Sequence, residues 1–278
     1  MPGANERALE KAKGLDADAI IFDLEDAVAP DAKADARERV CAATTSGEYG
    51  QRELTIRLNG LDTPWHADDM RAAAEAGPAA VVVPKVGSVA DVAAVEKSLE
   101  AAGAPDHTTI WAMVETPAAM LGAVEIAGSS ERLTVLVMGT NDLAKELHAE
   151  HVAGRQPLLA GLGLCLLAAR ATGKVILDGV YNDIKDADGF EAECVQGREM
   201  GFDGKTLIHP SQLEPANRVW APAPGAVDDA RALIATFQAG VAAGKGVVTH
   251  DGRMIENMHV ANAERLIALV DAITAREG

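Results

Sequence analysis

Trp111-Ala-Met-Val-Glu115-Thr-Pro117 and, after a further helical run, Leu133-Thr-Val-Leu-Val-Met-Gly-Thr-Asn-Asp142 are the stretches whose reading decides the fold. Each is an apolar, strand-like run that stops at a carboxylate, Glu115 in the first and Asp142 just beyond the second, with an amphipathic helical run between them. Carboxylates at the same end of adjacent parallel strands can share one ion. Mg²⁺ is commonly held by one or two protein carboxylates, with water and substrate oxygens completing its octahedron, so the pair is a candidate half-site. The same residues also read as polar strand ends that start the following helices, with Thr116 as N-cap and Pro117 at the first helical position. On these segments alone both readings stand.

Runs of the same kind flank this pair. Residues 19–25, 53–59, 80–85, 174–181 and 204–209 are strand-like, and 8–15, 32–43, 66–76, 89–102, 160–172 and 189–200 are helical. Seven strands alternating with helices imply repeated β-α units and a parallel sheet. A missing first strand would make eight. Their ends carry Glu25, Arg57, Lys85, Glu115, Asp142, Asp178 and His209, and in a barrel these ends form the face where active sites are built. An open doubly wound sheet would usually show a glycine-rich phosphate turn after its first strand, and none is present. The expected fold is therefore α/β, a (β/α)₈ TIM barrel over residues 1–220 with its first strand truncated or missing.

Past residue 220 the pattern changes to a Pro/Gly hinge at 221–225, a helix at 227–243, a β-hairpin turning on Asp251-Gly252 and a helix at 260–276. This helix–hairpin–helix extension over 221–278 is too small to hold a core alone. It is expected to act as a lid or oligomerisation element, on the barrel or on a neighbouring subunit.

Composition narrows the function. The 278 residues carry a net charge of −17 and 3% aromatics, which argues against nucleic acid and anionic membranes as partners. An anionic substrate would need local help from a cation, a buried arginine or helix N-termini. No run of about 18 apolar residues and no basic-then-apolar leader pattern is present, so a cytoplasmic location is expected. Cys41, Cys165 and Cys194 are far apart and unpaired in pattern, which reads as buried thiols rather than a disulfide or zinc framework.

The motifs then become familiar. Asp23-Leu-Glu-Asp-Ala-Val28, Arg57-Leu-Asn-Gly60, Pro84-Lys85-Val, Glu115-Thr-Pro, Gly139-Thr-Asn-Asp142, Asp178-Gly-Val-Tyr and Gly201-Phe-Asp-Gly-Lys-Thr-Leu-Ile-His-Pro210, with Gly244-Lys-Gly and Gly252-Arg-Met-Ile-Glu256 in the tail, resemble the HpcH/HpaI aldolase and citrate lyase β-subunit superfamily on its CoA-ester side. The resemblance covers essentially the whole chain. It implies a Mg²⁺-dependent barrel acting on a CoA thioester and an α-keto acid, assembled as a homotrimer or hexamer whose lids are exchanged between subunits. By this likeness Glu115 and Asp142 bind Mg²⁺, and Arg57 clamps the keto-acid carboxylate with its two-pronged fork. Glu25 and Asp26 lie near the metal as catalytic candidates, with loop-fixing as their other reading. Gly139, Thr140, Asn141, Lys85 and His209 join Arg57 as substrate-binding candidates, Lys85 as an electrostatic or structural residue and His209 as one that also reads as a loop anchor. Glu256 stands where lyases of the family usually carry an acid/base Asp; a solvated turn carboxylate is its other reading. Relatives begin with a strand just before the Pro-Gly, so here that strand is expected to be absent or a stub.

Three activities follow. The leading one is a Mg²⁺-dependent carbon–carbon lyase acting on malyl-CoA, citramalyl-CoA or citryl-CoA by retro-Claisen cleavage, with the metal stabilising the developing charge. The alternative is a (3S)-malyl-CoA thioesterase, which Gly139-Thr-Asn-Asp-Leu-Ala-Lys-Glu-Leu147 particularly resembles and which the longer arm of Glu256 would favour. The third is a β-subunit active only beside partner chains, against which the full lid argues.

Overall fold

The computed structural model describes residues 1–277. Seven parallel strands, β1 (Ala19–Asp23), β2 (Glu53–Arg57), β3 (Ala80–Val83), β4 (Thr109–Val114), β5 (Leu133–Met138), β6 (Val175–Asp178) and β7 (Gly204–Lys205), form one sheet in sequence order. The helices between and around them are α1 (Glu6–Ala12), α2 (Lys33–Thr45), α3 (His66–Ala76), α4 (Val89–Ala101), α5 (Pro117–Leu121), α6 (Ala123–Ala127), α7 (Thr140–Glu146), α8 (Leu159–Thr172), α9 (Ala187–Met200) and α10 (Leu213–Trp220). The sheet is a curled half-barrel. At the outer edge of β1, Pro2 forms an isolated parallel bridge with Asp23: the Asp23 N–H donates to the Met1 carbonyl at 2.8 Å, and the Gly3 N–H to the Asp23 carbonyl at 2.9 Å.

The period of two along each strand sorts the side chains into two layers. Phe22, Ile56, Val81, Val83, Ile110, Ala112, Val114, Leu136 and Ile176 point outward and share one large core with the helices. Ile21, Ala80, Val82, Trp111, Met113, Val135, Val137 and Leu177 fill the concave interior. Carried one step further, the inward parity delivers Asp23, Arg57, Glu115 and Gly139 to the carboxyl ends of β1, β2, β4 and β5.

Asp178 has the opposite parity, in step with Ile176, and this corrects the expectation that every strand-end charge faces the site. Its carboxylate turns to the helix layer, where it accepts from Arg155 at 2.6 Å, Lys205 at 3.0 Å and the Gly179 N–H at 2.8 Å. Glu193 of α9 accepts from the same Lys205 at 2.7 Å. Two cations and two anions thus neutralise one another and tie the loop before α8 to β6, β7 and α9. A Cβ on Gly197 would lie 2.8 Å from the Asp178 carboxylate, so a glycine opens the room the quartet needs.

Other local expectations hold. Thr116 caps α5, its hydroxyl accepting the Ala119 N–H at 3.2 Å, with Pro117 at the first position. The helical run between Glu115 and Leu133 is two short helices broken at Gly122. From Ala221 the chain forms a separate compact unit: α11 (Ala226–Ala242), a hairpin of β8 (Val248–His250) and β9 (Arg253–Ile255), and α12 (Asn257–Glu277). Among the described residues no helix is long and apolar enough to cross a membrane.

Removing one member of a buried charge group leaves its partner uncompensated. Lys205→Met is therefore expected to lower the unfolding free energy by about 3 kcal/mol or more, measured by urea denaturation. A loss below about 1 kcal/mol would show that the quartet is not held as described.

Candidate active site

At the carboxyl ends of β1 to β5 the structure gathers Asp23, Glu25, Arg57, Lys85, Glu115 and Asp142. Glu115 is 2% exposed. One of its oxygens accepts the Lys85 N–H at 2.7 Å, a bond made possible by Lys85 sitting in the left-handed region at φ 55° after Pro84. Its other oxygen packs on Gly139, where any Cβ would lie 2.1 Å from it; here the glycine serves close approach, not backbone freedom. Burial, with the charges of Asp142 and Glu25 adding to it, pushes the Glu115 pKa up to about 7 despite the Lys85 N–H. Asp142 follows within the first turn of α7, half-buried, and its charge reaches both Glu115 and Lys85.

This donor set fits a hard divalent cation. Among the described residues no three His, Cys, Asp or Glu side chains converge as a ligand cage, whereas Mg²⁺ needs only one or two carboxylates and keeps water or substrate on its other positions. A buried carboxylate bonded to protein through one oxygen, with a second carboxylate nearby, is a place where a cation would relieve desolvation and repulsion together.

Arg57 is placed differently from the expectation of a free fork. Its Nε and one Nη donate to the two Asp23 oxygens at 2.7 and 2.6 Å, because Asp23 and Arg57 are direct partners in the β1–β2 register. The remaining Nη lies 3.1 Å from Glu25 and 4.0 Å from Asp26. Burial works against the charge of Asp23, but Arg57 and the N–H groups of Glu25 and Ala27 outweigh it and hold its pKa below the usual range. For Glu25 the balance is reversed: burial wins over the attraction of Arg57 and Lys85 and holds its pKa above the usual range. The Lys85 ammonium, half-exposed, lies 3.6 Å from Glu25.

The remaining candidates differ in what holds them. Asn141 exchanges amide hydrogen bonds with Asn182 at 3.1 and 2.7 Å. Thr140 is 4% exposed and its hydroxyl lacks a hydrogen-bond partner among the described residues. The His209 ring accepts the Ser211 N–H at 3.2 Å in a capping box with Gln212, which is the loop-anchor geometry. Glu256 is exposed in the unit that begins at Ala221, and its N–H donates to the His259 ring at 3.0 Å at the start of α12. Asp26 is exposed at the rim. Sequence reasoning missed Asp23 as the partner of Arg57 and Lys33 as a residue of the site's support.

Fold and site define an α/β half-barrel whose carboxyl face presents an acidic centre beside a half-buried arginine. The family model for HpcH/HpaI aldolase/citrate lyase matches residues 1–210, and the chain belongs to that family. It is 52% identical over 275 residues to a (3S)-malyl-CoA thioesterase of Cereibacter sphaeroides, covering 99% of this chain and 94% of that one. It is 32% identical to an L-malyl-CoA/β-methylmalyl-CoA lyase of the same organism, covering 99% and 94%. Among solved structures it resembles CitE of Mycobacterium tuberculosis in complex with magnesium, acetoacetate and coenzyme A, with a TM-score of 0.78, 28% identity and coverage of 96% and 95%.

The raised pKa of Glu115 makes a signed prediction for metal-free protein. The unfolded chain holds this proton only below the ordinary value near 4.5, the folded chain up to about 7. The contribution is therefore fully present below about 4.5 and is lost as pH rises through 7, a change on the order of 3 kcal/mol. In the presence of EDTA, Glu115→Gln should match the parent in melting temperature at acid pH and exceed it at pH above about 8. Equal melting temperatures at both ends would show that Glu115 is not desolvated as described.

Proposed function

We propose that this protein is a Mg²⁺-dependent hydrolase of a malyl-CoA-like ester, releasing a 3-hydroxy acid and free CoA. The observation that carries this reading is the 52% identity to a thioesterase across nearly the whole chain, against 32% to the malyl-CoA lyase of the same organism. It reverses the order set by the motifs alone, which put the lyase first.

In this reading Glu115 and Asp142 would hold Mg²⁺, which when bound supplies a Lewis acid for the substrate's oxygens. Arg57, oriented by Asp23, would offer the malyl carboxylate its remaining Nη, which lies 3.1 Å from Glu25. Glu25, with its pKa held up by burial, accepts a proton from the attacking water and returns it to the departing CoA sulfur. The water oxygen joins the thioester carbon as the C–S bond breaks. Lys85 lends positive charge at the mouth, and the unpartnered Thr140 hydroxyl is available to a substrate oxygen. Retro-Claisen cleavage of the same ester is the second reading, supported by the family's lyases and by the acetoacetate bound with magnesium and coenzyme A in CitE.

The unit from Ala221 fits a lid shared between copies in a homotrimer or hexamer. Val241, Val247, Met254, Met258 and Leu269 are exposed on it, and a unit of this size holds little core of its own. Glu256 would then act on a neighbour's ester.

Incubation with malyl-CoA and Mg²⁺, scoring malate and free CoA against glyoxylate and acetyl-CoA, tests the chemistry. Hydrolysis products should dominate, and Glu115→Gln should lose at least about 10²-fold in rate; glyoxylate and acetyl-CoA as the main products would return the protein to the lyases. Mixing Glu256→Gln with Glu115→Gln chains should restore part of the activity lost in each. No recovery would confine Glu256 to its own subunit or to no role.

A further inference from the structure

The backbone that presents Glu25 is pinned by a buried lysine. Lys33, at the start of α2, is 5% exposed, and its ammonium donates to the carbonyl oxygens of Leu24 and Glu25, both at 2.8 Å. The same nitrogen stands 5.0 Å from the centroid of the Trp65 ring. No carboxylate pairs with it at ion-pair distance among the described residues. A lysine with a purely packing role keeps its stem buried and sends its charge to water; this one withdraws a strongly hydrated ion from solvent to hold two carbonyls.

The carbonyls it holds belong to the loop that carries the site. Asp23 accepts the Glu25 N–H at 2.8 Å and the Ala27 N–H at 3.0 Å. The Asn59 amide adds a bond to the Leu24 carbonyl at 2.9 Å and is itself anchored on Asp69. The backbone polar groups of Glu25 are thus fixed by buried side chains, its N–H by Asp23 and its C=O by Lys33 together with the Val28 N–H at 3.0 Å, and its carboxylate is left facing Arg57 at 3.1 Å and Lys85 at 3.6 Å.

We propose that Lys33 is a positioning residue of this site, acting through the backbone of Glu25 and touching neither substrate nor metal. The proposal rests on the reading above that Glu25 handles the water proton. Turnover then depends on Lys33 through Glu25, whereas binding of the ester and of the cation does not.

The test compares Lys33→Met, which keeps the stem and removes the donors, with Lys33→Arg, which keeps donors and a planar group for Trp65. Each is made in the parent and in Glu25→Gln, with folded fraction fixed by circular dichroism. Lys33→Met is expected to lower kcat about 10-fold with KM and Mg²⁺ affinity within about 2-fold, Lys33→Arg to recover a good part of the loss, and Lys33→Met to cost less than about 2-fold once Glu25 is already Gln. Fully multiplicative losses, or a loss matched by the unfolded fraction, would overturn the proposal. Amide exchange gives a reading independent of activity: Lys33→Met should speed exchange at Glu25, Ala27 and Val28 while the middle of α2 stays protected. Unchanged exchange overturns the role of Lys33 even in an active enzyme. Absent CoA-ester turnover in the parent, or full activity of Glu25→Gln, would instead sink the hydrolytic reading while the exchange result still judges Lys33. If Lys33→Met does not fold, Lys33→Gln, with one donor left, is measured in the same way.

Discussion

A carboxylate taken out of water beside other carboxylates needs a compensating charge, and the carboxyl face of this sheet is arranged around that need. Asp23 obtains it in full, from both prongs of Arg57 and two N–H groups. Glu25 obtains less, and Glu115 has one N–H on one oxygen. The result is a gradient of acidity across adjacent strand ends, with Asp23 below the ordinary range and Glu115 near neutrality. Groups of one chemical type are thereby set apart in acidity by their surroundings alone.

The burial behind this gradient has its own scaffold. Interior parity brings Asp23, Arg57 and Glu115 to one face; Gly139 removes the atom that would exclude the Glu115 carboxylate; Lys33 and Asn59 hold the loop after β1 from beneath. On the helix side the Arg155–Asp178–Lys205–Glu193 quartet performs a different task with the same residue types. It fixes where the chain from β6 and β7 meets α9 and leaves no charge toward the interior.

Much of this was legible in the sequence. Hydrophobic periodicity and turn residues located α3 at its observed bounds, the Asp251-Gly252 hairpin and the alternation of strands with helices. The motifs contain the carboxylates that the structure gathers at the strand ends. What escaped depended on facts that are not local. A strand end read alone groups Asp178 with the site, because the face it shares with Ile176 is set by strand parity. The fork of Arg57 reads as free in the sequence because its partner lies 34 positions away, opposite it only through strand register. Lys33 looked like one more charge on a polar helix, since nothing in its neighbours announces that the ammonium is buried. Strand 204–209 shortened to Gly204–Lys205 because the residues after it turn into the cap made by His209.

The left-handed backbone at Lys85 has a consequence for anyone who selects variants for heat resistance. A side chain at φ 55° carries a backbone strain on the order of 1 kcal/mol that glycine or asparagine would relieve. A screen scored on melting temperature would favour such replacements, keep the peptide N–H that holds Glu115, and strip the ammonium from beside Glu25. A library read only by survival would therefore alter the charge beside Glu25 as a by-product of relaxing one backbone angle.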